Sequence, residues 1–450
     1  MSKGFSMKLT AEQQKVKDNF LTFLFNNEKY MIIDGKGGTG KTFLLSSLVK
    51  SLNNEAVDLA KILGKTLPFK VYAITATTNK ACDVLKNYYK DTECDIQTIY
   101  SLLNLKVKQN YDTGEQKIVP KGTSQYIIEN AVIFIDECSM IDSTLLSYID
   151  KGTFNCKIIL IGDKCQLPPV RESISPIYTL GSTEENLTEI QRTEKEDLLE
   201  MNQKLRDGVI NKSQVNIKCS ENIIYLDNQD TKTIDWIKDN LKNQDRDCHI
   251  LCYTNDAAVE YSNAIRLIRN QTIAFNRDEE MIINNSLRFK QLPNRNSQLG
   301  DPDIFVLPTD SKVTIEYVEG PYTVYLNDSN APEFEYYSVR INYLGKHLVI
   351  PAIANMPAYK KALKVLAKEK NWAEYYRLTE TFADMRITDV MTVHKAQGST
   401  FSNVLIDLSD LSTCRNPNIF RRLLYVAFSR ARDKVYLTGK LPEKYGELVL

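Results

Sequence analysis

One segment restricts this chain more than any other. Gly35-Lys36-Gly37-Gly38-Thr39-Gly40-Lys41-Thr42 fits G-x-x-x-x-G-K-[ST], and it stands between the apolar run YMIID and the amphipathic run FLLSSLVKSL. A strand, a glycine-rich turn and a helix in that order make a phosphate loop. The glycines let backbone N–H groups turn toward phosphate oxygens, and the helix N-terminus adds its dipole. Gly35, Gly38, Thr39 and Gly40 are expected to form the cradle. Lys41 is expected to reach the β- and γ-phosphates, and Thr42 to ligate Mg²⁺. Such a loop sits at the carboxyl end of a parallel strand, so the expected fold class is α/β.

The rest of the chain keeps that rhythm. Short apolar runs at Tyr30–Asp34, Val71–Thr75, Ala131–Asp136, Lys157–Ile161, Cys248–Tyr253, Val404–Asp407 and Lys434–Thr438 alternate with longer amphipathic stretches. Runs unbroken by polar residues predict strands buried on both faces, as in parallel sheets covered by helices. Two stretches depart from it. Residues 104–127 alternate polar and apolar around Asp112-Thr113-Gly114, which predicts a β-hairpin. Residues 286–385 hold β-rich segments such as SKVTIEYV and EYYSVRINYL, then a charged helical stretch, Met356–Thr379. They are expected to form a separate small β domain inserted in a second α/β domain. No internal repeat is evident.

A length of 450 residues gives a prior of about three domains. Lys+Arg and Asp+Glu are both 57, so the net charge is zero. A histone-like, globally basic binder is thereby excluded, though a local basic groove is not. No run approaches the roughly 18 apolar residues of a membrane span, and the first residues lack the apolar core of a signal peptide. Nine cysteines without a C-x-x-C pair suit free thiols in a reducing cytoplasm, with Cys248 and Cys252 in a buried strand.

Further motifs follow strand-like runs. AVIFIDECSM ends in Asp136-Glu137, where Asp136 suits a Mg²⁺ ligand and Glu137 a residue that polarises water. KIILIGDKCQLPPV places Asp163 and Gln166 after the next run, with Pro168-Pro169 as a rigid apolar platform. Taken alone, that segment suits an ordinary turn equally well. MTVHKAQGST carries Thr392, His394, Lys395, Gln397, Gly398 and Thr400, and LLYVAFSRAR carries Arg430 and Arg432. A lone His is more often structural and an Arg pair more often solvated. After strands of a second α/β repeat, Arg430 is placed to face the nucleotide of the first as an arginine finger.

The ordered series GKGGTGKT, AITATTNKA, IDECSM, GDKCQLPPV, LTEIQR, TVHKAQGST and YVAFSRAR resembles the superfamily 1B helicases, the RecD-like enzymes and most of all the phage Dda type. The resemblance runs from about Leu9 to Leu437. It implies two RecA-like P-loop domains with ATP and Mg²⁺ between them, moving 5′→3′ on single-stranded DNA and unwinding duplex. It implies that Gln13 reads the adenine edge and that Arg192, with Arg430, reaches the γ-phosphate. Thr78, Lys80, Thr98, Ser101, Pro168, Pro169, Thr392 and His394 match strand-contacting positions. The hairpin corresponds to a strand-separating pin and residues 286–385 to an SH3-like domain with a helical arm. The wedge is read from the residues themselves: Tyr111, the aromatic beside Asp112-Thr113-Gly114, is placed to stack on the last base pair, and equally to pack back on the hairpin. The implied domains are 1–103 with 128–190 (first RecA-like), 104–127 (pin), 191–285 with 386–450 (second RecA-like) and 286–385 (insertion). One motif departs from the pattern A-P-T-G-K-A, since this chain has Ala76-Thr77-Thr78-Asn79-Lys80-Ala81. Expected partners are single-stranded DNA and fork junctions, with replication or recombination proteins beside them, no membrane, and a monomer as the working unit. Two alternatives are a single-strand translocase that displaces proteins, which needs no pin, and an RNA helicase of the same branch. Phosphate and sugar contacts discriminate DNA from RNA poorly.

Overall fold

The computed structural model describes residues 8–69, 71–89, 95–110, 116–122, 126–169, 172–226, 230–242, 247–271, 275–290, 304–326 and 329–449. The first parallel sheet is ordered Thr183–Leu187, Tyr30–Gly35, Lys157–Gly162, Ala131–Asp136, Val71–Ala76 and Ile96–Thr98. Its central strand shows why the apolar runs are unbroken. Successive side chains point to opposite faces. Phe134 packs with Phe20, Leu44 and Leu48 of the helices Ala11–Phe23 and Lys41–Asn53, while Ile133 and Ile135 pack with Leu145 and Ile149 of the helix Ser143–Lys151. Both faces are interior, so neither tolerates polarity.

The two edge strands, TEENL at Thr183–Leu187 and IQT at Ile96–Thr98, are absent from the expected runs. An edge has one neighbour and one wet side, so short or charged sequences suffice there. The helix Ala11–Phe23 starts where Thr10 and Gln13 cap each other reciprocally.

The second parallel sheet is ordered Ile223–Tyr225, Ala431–Thr438, Phe401–Asp407, Cys248–Cys252 and Val390–Thr392. Two parallel P-loop-type sheets with helices match the expected α/β architecture. Beside them lies an antiparallel sheet of Lys346–Ile353, Phe334–Tyr343, Ser311–Val324, Glu280–Ile283 and Met385–Ile387. Its fourth and fifth strands in this order extend the sheet past the expected bounds of 286–385, at Glu280–Ile283 and at Arg386 and Ile387. Ile283, Val313, Ile315, Val339 and Ile341 share one core with Ile250, Cys252 and Leu405 of the second parallel sheet. The two sheets are therefore joined by packing as well as by the chain.

The helix expected over Met356–Thr379 is two helices, Met356–Lys368 and Trp372–Thr381. Lys370 has φ 57°, which ends the first, and the Asn371 side chain caps the second by accepting the Glu374 N–H. The hairpin pairs Leu105–Gln109 with Gln116–Pro120, Leu105 opposite Pro120. The Tyr148 hydroxyl donates to the Ile118 carbonyl at 2.9 Å and fixes it to the helix Ser143–Lys151. Its turn, with Tyr111, lies outside the described residues. Among the described residues the cysteines are free, no cluster of metal-ligating side chains is present, and no helix is long and apolar enough to cross a membrane.

Phe134 is fully buried, its ring 5.9 Å from that of Phe20. Phe134→Ala is expected to cost about 3–5 kcal/mol through lost burial and a residual cavity, read as a lower denaturant midpoint in equilibrium unfolding.

Candidate active site and nucleic-acid interface

The phosphate loop follows the strand Tyr30–Gly35, and its last glycine, Gly40, stands at the N-terminus of the helix Lys41–Asn53. Gly38 and Gly40 have φ 88° and 75°, a region that side chains rarely enter. Space demands glycine as well. A Cβ on Gly38 would lie 2.5 Å from the Arg192 Cβ, and one on Gly40 2.8 Å from the Gln13 Nε2. The Lys41 ammonium donates to the carbonyls of Gly35 and Lys36 at 2.7 and 3.0 Å, and the Thr39 hydroxyl to Lys36 O at 3.0 Å.

Next to the loop lies a cavity of about 390 Å³. The first sheet supplies Lys41, Thr42, Asp136, Glu137 and Gln166 to its lining, the second supplies Gly398, Thr400 and Arg430, and the connection between them supplies Gln191 and Arg192. Asp136 ends the strand Ala131–Asp136, and burial, then the adjacent Glu137, push its carboxyl up to about 7. Glu137 is held at φ 51°, a left-handed conformation unusual outside glycine, and its Oε2 is buried without a hydrogen-bond partner.

Opposite these carboxylates stand two guanidinium groups. Arg430 is 1% exposed and spends its donors on Val426 O, Ser399 O and Ser429 Oγ at 3.1, 3.2 and 2.8 Å. Arg192 donates to the Ser429 carbonyl. Burial lowers both, and burial with the neighbouring Arg430 brings Arg192 down to about 9. Among the described residues neither has a carboxylate ion-pair partner. Depressed cations, glycines that a Cβ would block and an unpartnered carboxylate oxygen suit a polyanion with a divalent cation. The donor set, a threonine hydroxyl and Asp136, is the hard-oxygen kind that Mg²⁺ takes.

Gln13 is 3% exposed and commits both ends of its amide. Its Oε1 accepts the Thr10 N–H at 3.1 Å and its Nε2 donates to Thr39 O at 3.0 Å. It stands behind the loop and is not part of the cavity lining. Gln397 crosses the cleft and donates to the Gln166 Oε1 at 3.3 Å.

The strand-contact candidates gather at carboxyl ends of both sheets. Thr78 caps the helix Asn79–Tyr88, and Thr98 caps Ile99–Leu102 with its hydroxyl 3.0 Å from Ser101 Oγ. Thr392 ends Val390–Thr392 and is buried, whereas His394 is exposed with its ring 6.0 Å from Tyr253. Lys80 joins the two groups, since its Nζ donates to Lys395 O at 2.5 Å. Burial pushes that ammonium down to about 8. Pro168 is half-buried and Pro169 buried, so the platform is narrower than the sequence suggests. Arg432 lies outside the cleft, exposed and paired with Asp433.

Sequence reasoning missed Asp34, Arg206, Arg422 and Tyr425, which meet behind the cavity. The one available signal was a polar pair, Arg206-Asp207, inside the amphipathic run LLEMNQKLRDGVI.

Residues 8–224 match the AAA domain family and residues 388–438 the UvrD-like helicase C-terminal domain. The ATP-dependent DNA helicase Pif1 of Campylobacter jejuni is 24% identical, covering 91% of this chain and 89% of the relative. The ATP-dependent DNA helicase dda of Enterobacteria phage T4 is 20% identical, covering 95% and 98%. The chain belongs to the superfamily 1B helicases. The likeness spreads over Pif1 and Dda enzymes alike. The crystal structure of a Bacteroides Pif1 helicase with ADP-AlF3 and ssDNA superposes with a TM-score of 0.50 at 16% identity, over 98% of this helicase and 95% of that chain. It bears on the fold alone.

The crowding at Gly38 gives this helicase a direct check. Gly38→Ala should lower ATP turnover by at least about tenfold, because the loop or Arg192 must move, and strain in the left-handed region adds about 1–3 kcal/mol. Gly181 shares the positive φ (66°) but has nothing within 4 Å. Gly181→Ala should cost stability and leave turnover intact in a steady-state ATPase assay.

Proposed function

We propose that this helicase is an ATP-driven motor that moves 5′→3′ along single-stranded DNA and separates duplex ahead of it. The observation that carries the reading is the cavity between the two parallel sheets, with the phosphate loop on one wall and Arg430 on the other.

In this reading Gly35, Gly38, Thr39 and Gly40 shape the cradle. Lys41 leaves its carbonyl partners for the β- and γ-phosphate oxygens. Thr42 and Asp136 hold Mg²⁺, which when bound draws charge from those oxygens. Glu137, whose Oε2 is free, takes the proton of the attacking water, and Gln166 orients the γ-phosphate. Arg192 and Arg430 meet the developing charge only when the two modules are closed, which is what makes hydrolysis a mechanical event. Gln13 retains one amide hydrogen for the adenine edge. Thr78, Lys80, Thr98, Ser101, Pro168 and Pro169 on one module, and Thr392 and His394 on the other, hold the strand. Their separation changes as the cleft opens and closes. Residues 104–127 act as the pin, with Tyr111 as its wedge, and 286–385 as the inserted domain. Single strands and forks are the partners, and a monomer suffices.

The paired strands Leu105–Gln109 and Gln116–Pro120 favour unwinding over translocation alone, because a translocase has no use for a pin. Duplexes with a 5′ or a 3′ single-stranded tail, in DNA and in RNA, test the reading. ATP-dependent separation is expected for the 5′-tailed DNA, and none with Lys41→Ala. Separation of only the 3′-tailed or only the RNA substrate would overturn it.

Arg430→Ala is expected to lower the DNA-stimulated ATPase about 10³-fold, as for other arginine fingers, with a far smaller loss in nucleotide affinity. Equal losses in rate and affinity would make it a ground-state contact. Lys80→Ala should weaken single-strand binding and reduce the slope of log K against log salt by about 0.7, the share of one phosphate contact. An unchanged slope in titrations at several salt concentrations would remove Lys80 from the interface.

A further inference from the structure

Behind the cavity lies a buried cluster that the chemistry above does not use. Asp34 lies in the strand Tyr30–Gly35 and pairs in register with Gly162 of the strand Lys157–Gly162, after which comes Asp163. Two carboxylates therefore finish side by side, 1% and 0% exposed. Arg206, from the helix Glu196–Asn211, stands between them, donating through Nη2 to Asp34 Oδ2 at 2.9 Å and through Nη1 to Asp163 Oδ1. Tyr425, from the helix Pro417–Phe428, donates its hydroxyl to the other oxygen of Asp163 at 2.7 Å. The same hydroxyl accepts the Gly37 N–H of the phosphate loop at 3.3 Å. One turn earlier, Arg422 donates to the carbonyls of Lys164 and Gln166 at 2.5 and 2.6 Å.

Both helices belong to the second module, where Leu198, Met201 and Leu205 share a core with Leu424, Tyr425 and Phe428. Cys165 and Leu167, on the loop that carries Gln166, insert into that same core. The loop is thus rooted in the first sheet and gripped by the second. The helix that grips it is the one whose end delivers Arg430. A planar fork holds two separate acceptors on two nitrogens at a fixed spacing, which the single nitrogen of a lysine does not.

We propose that Arg206 is a positioning residue: by bridging Asp34 and Asp163 it fixes the spacing between the phosphate loop and Gln166 and ties both to the helix that carries Tyr425 and Arg430. Closure of the modules then reaches Gly37, Gln166 and Arg430 as one movement. This rests on the motor reading above.

The test uses full-length Arg206→Lys, Tyr425→Phe and the double variant. ATPase kcat and KM are measured at saturating single-stranded DNA, each rate divided by the active fraction titrated with a fluorescent ATP analogue. That division removes losses caused by misfolding alone. Arg206→Lys is expected to lower kcat per active molecule by roughly 10²-fold, the effect of a misplacement near 1 Å, with KM nearly unchanged. Tyr425→Phe should lower it less, and the double variant should be no worse than Arg206→Lys, because both act through Asp163. Wild-type kcat per active molecule in Arg206→Lys, with only a lowered melting temperature, would make Arg206 structural and overturn the proposal. Additive losses would overturn the single linked unit. If Arg206→Lys does not fold, an unchanged kcat in Tyr425→Phe overturns the link to the phosphate loop. A wild-type protein without DNA-stimulated ATPase overturns the motor reading itself, and the proposal with it.

Discussion

Two guanidinium groups face the cleft with no carboxylate ion-pair partner among the described residues, and the arrangement of the protein follows from that. An unpaired buried guanidinium carries a desolvation cost of several kcal/mol. Arg430 meets it in part by donating to Val426 O, Ser399 O and Ser429 Oγ, and Arg192 by donating to Ser429 O. Carbonyl and hydroxyl dipoles compensate a full charge incompletely. The cleft is left with affinity for an anion that touches both modules at once. A nucleotide triphosphate held by the phosphate loop is such an anion, so binding favours the closed cleft and loss of the γ-phosphate weakens that preference.

How far the sequence disclosed this depends on the range of each interaction. The strands Tyr30–Gly35, Ala131–Asp136 and Lys157–Gly162 were legible because burial on both faces forces an unbroken apolar run. The phosphate loop was legible because a left-handed turn beside a helix start permits few residues other than glycine. The edge strand TEENL was not, since one wet side relaxes the pattern. The split at Lys370 was missed because Asn371 acts as a cap only by virtue of a backbone geometry that composition does not reveal. Arg206 and Tyr425 were missed for a different reason. Their partners Asp34, Asp163 and Gly37 are remote in sequence, and only the fold makes a polar residue on an amphipathic helix into a buried bridge. The expectation that residues 286–385 form a separate unit failed to foresee the shared core for the same reason. Ile315 and Val339 bury against Ile250 and Leu405, and no local pattern records which surface covers which.

That shared core also decides where the molecule bends. The antiparallel sheet is joined to the second parallel sheet through many fully buried aliphatic side chains, each worth about 1.5–3 kcal/mol when removed from water. It travels with that sheet. The hairpin travels with the first, through Leu105 in the core beneath that sheet and the Tyr148–Ile118 hydrogen bond. The hairpin and the antiparallel sheet therefore lie on opposite sides of the cleft, and a change in closure alters the distance between them.

The two sides do not meet through a comparable apolar interface at the cavity itself. There the crossing contacts are polar: Lys80 to Lys395 O, Gln397 to Gln166, Tyr425 to Gly37 and Asp163, Arg422 to Lys164 O and Gln166 O, and Arg206 to Asp34 and Asp163. A neutral hydrogen bond such as Gln397 to Gln166 contributes a net of about 0.5–1.5 kcal/mol, and one to a charged group about 1.5–3 kcal/mol, because water replaces it when it opens. A handful of such bonds is within the reach of one triphosphate, whereas separation of either hydrophobic core is not. The Cys165–Leu167 insertion and the buried Arg206 bridge to Asp34 and Asp163 are the exceptions, and their place is consistent with a pivot: they anchor one loop across the boundary while the polar contacts around them exchange. Cores that are expensive to disturb, and a boundary held by bonds that water can replace, confine motion to the one surface where the nucleotide sits.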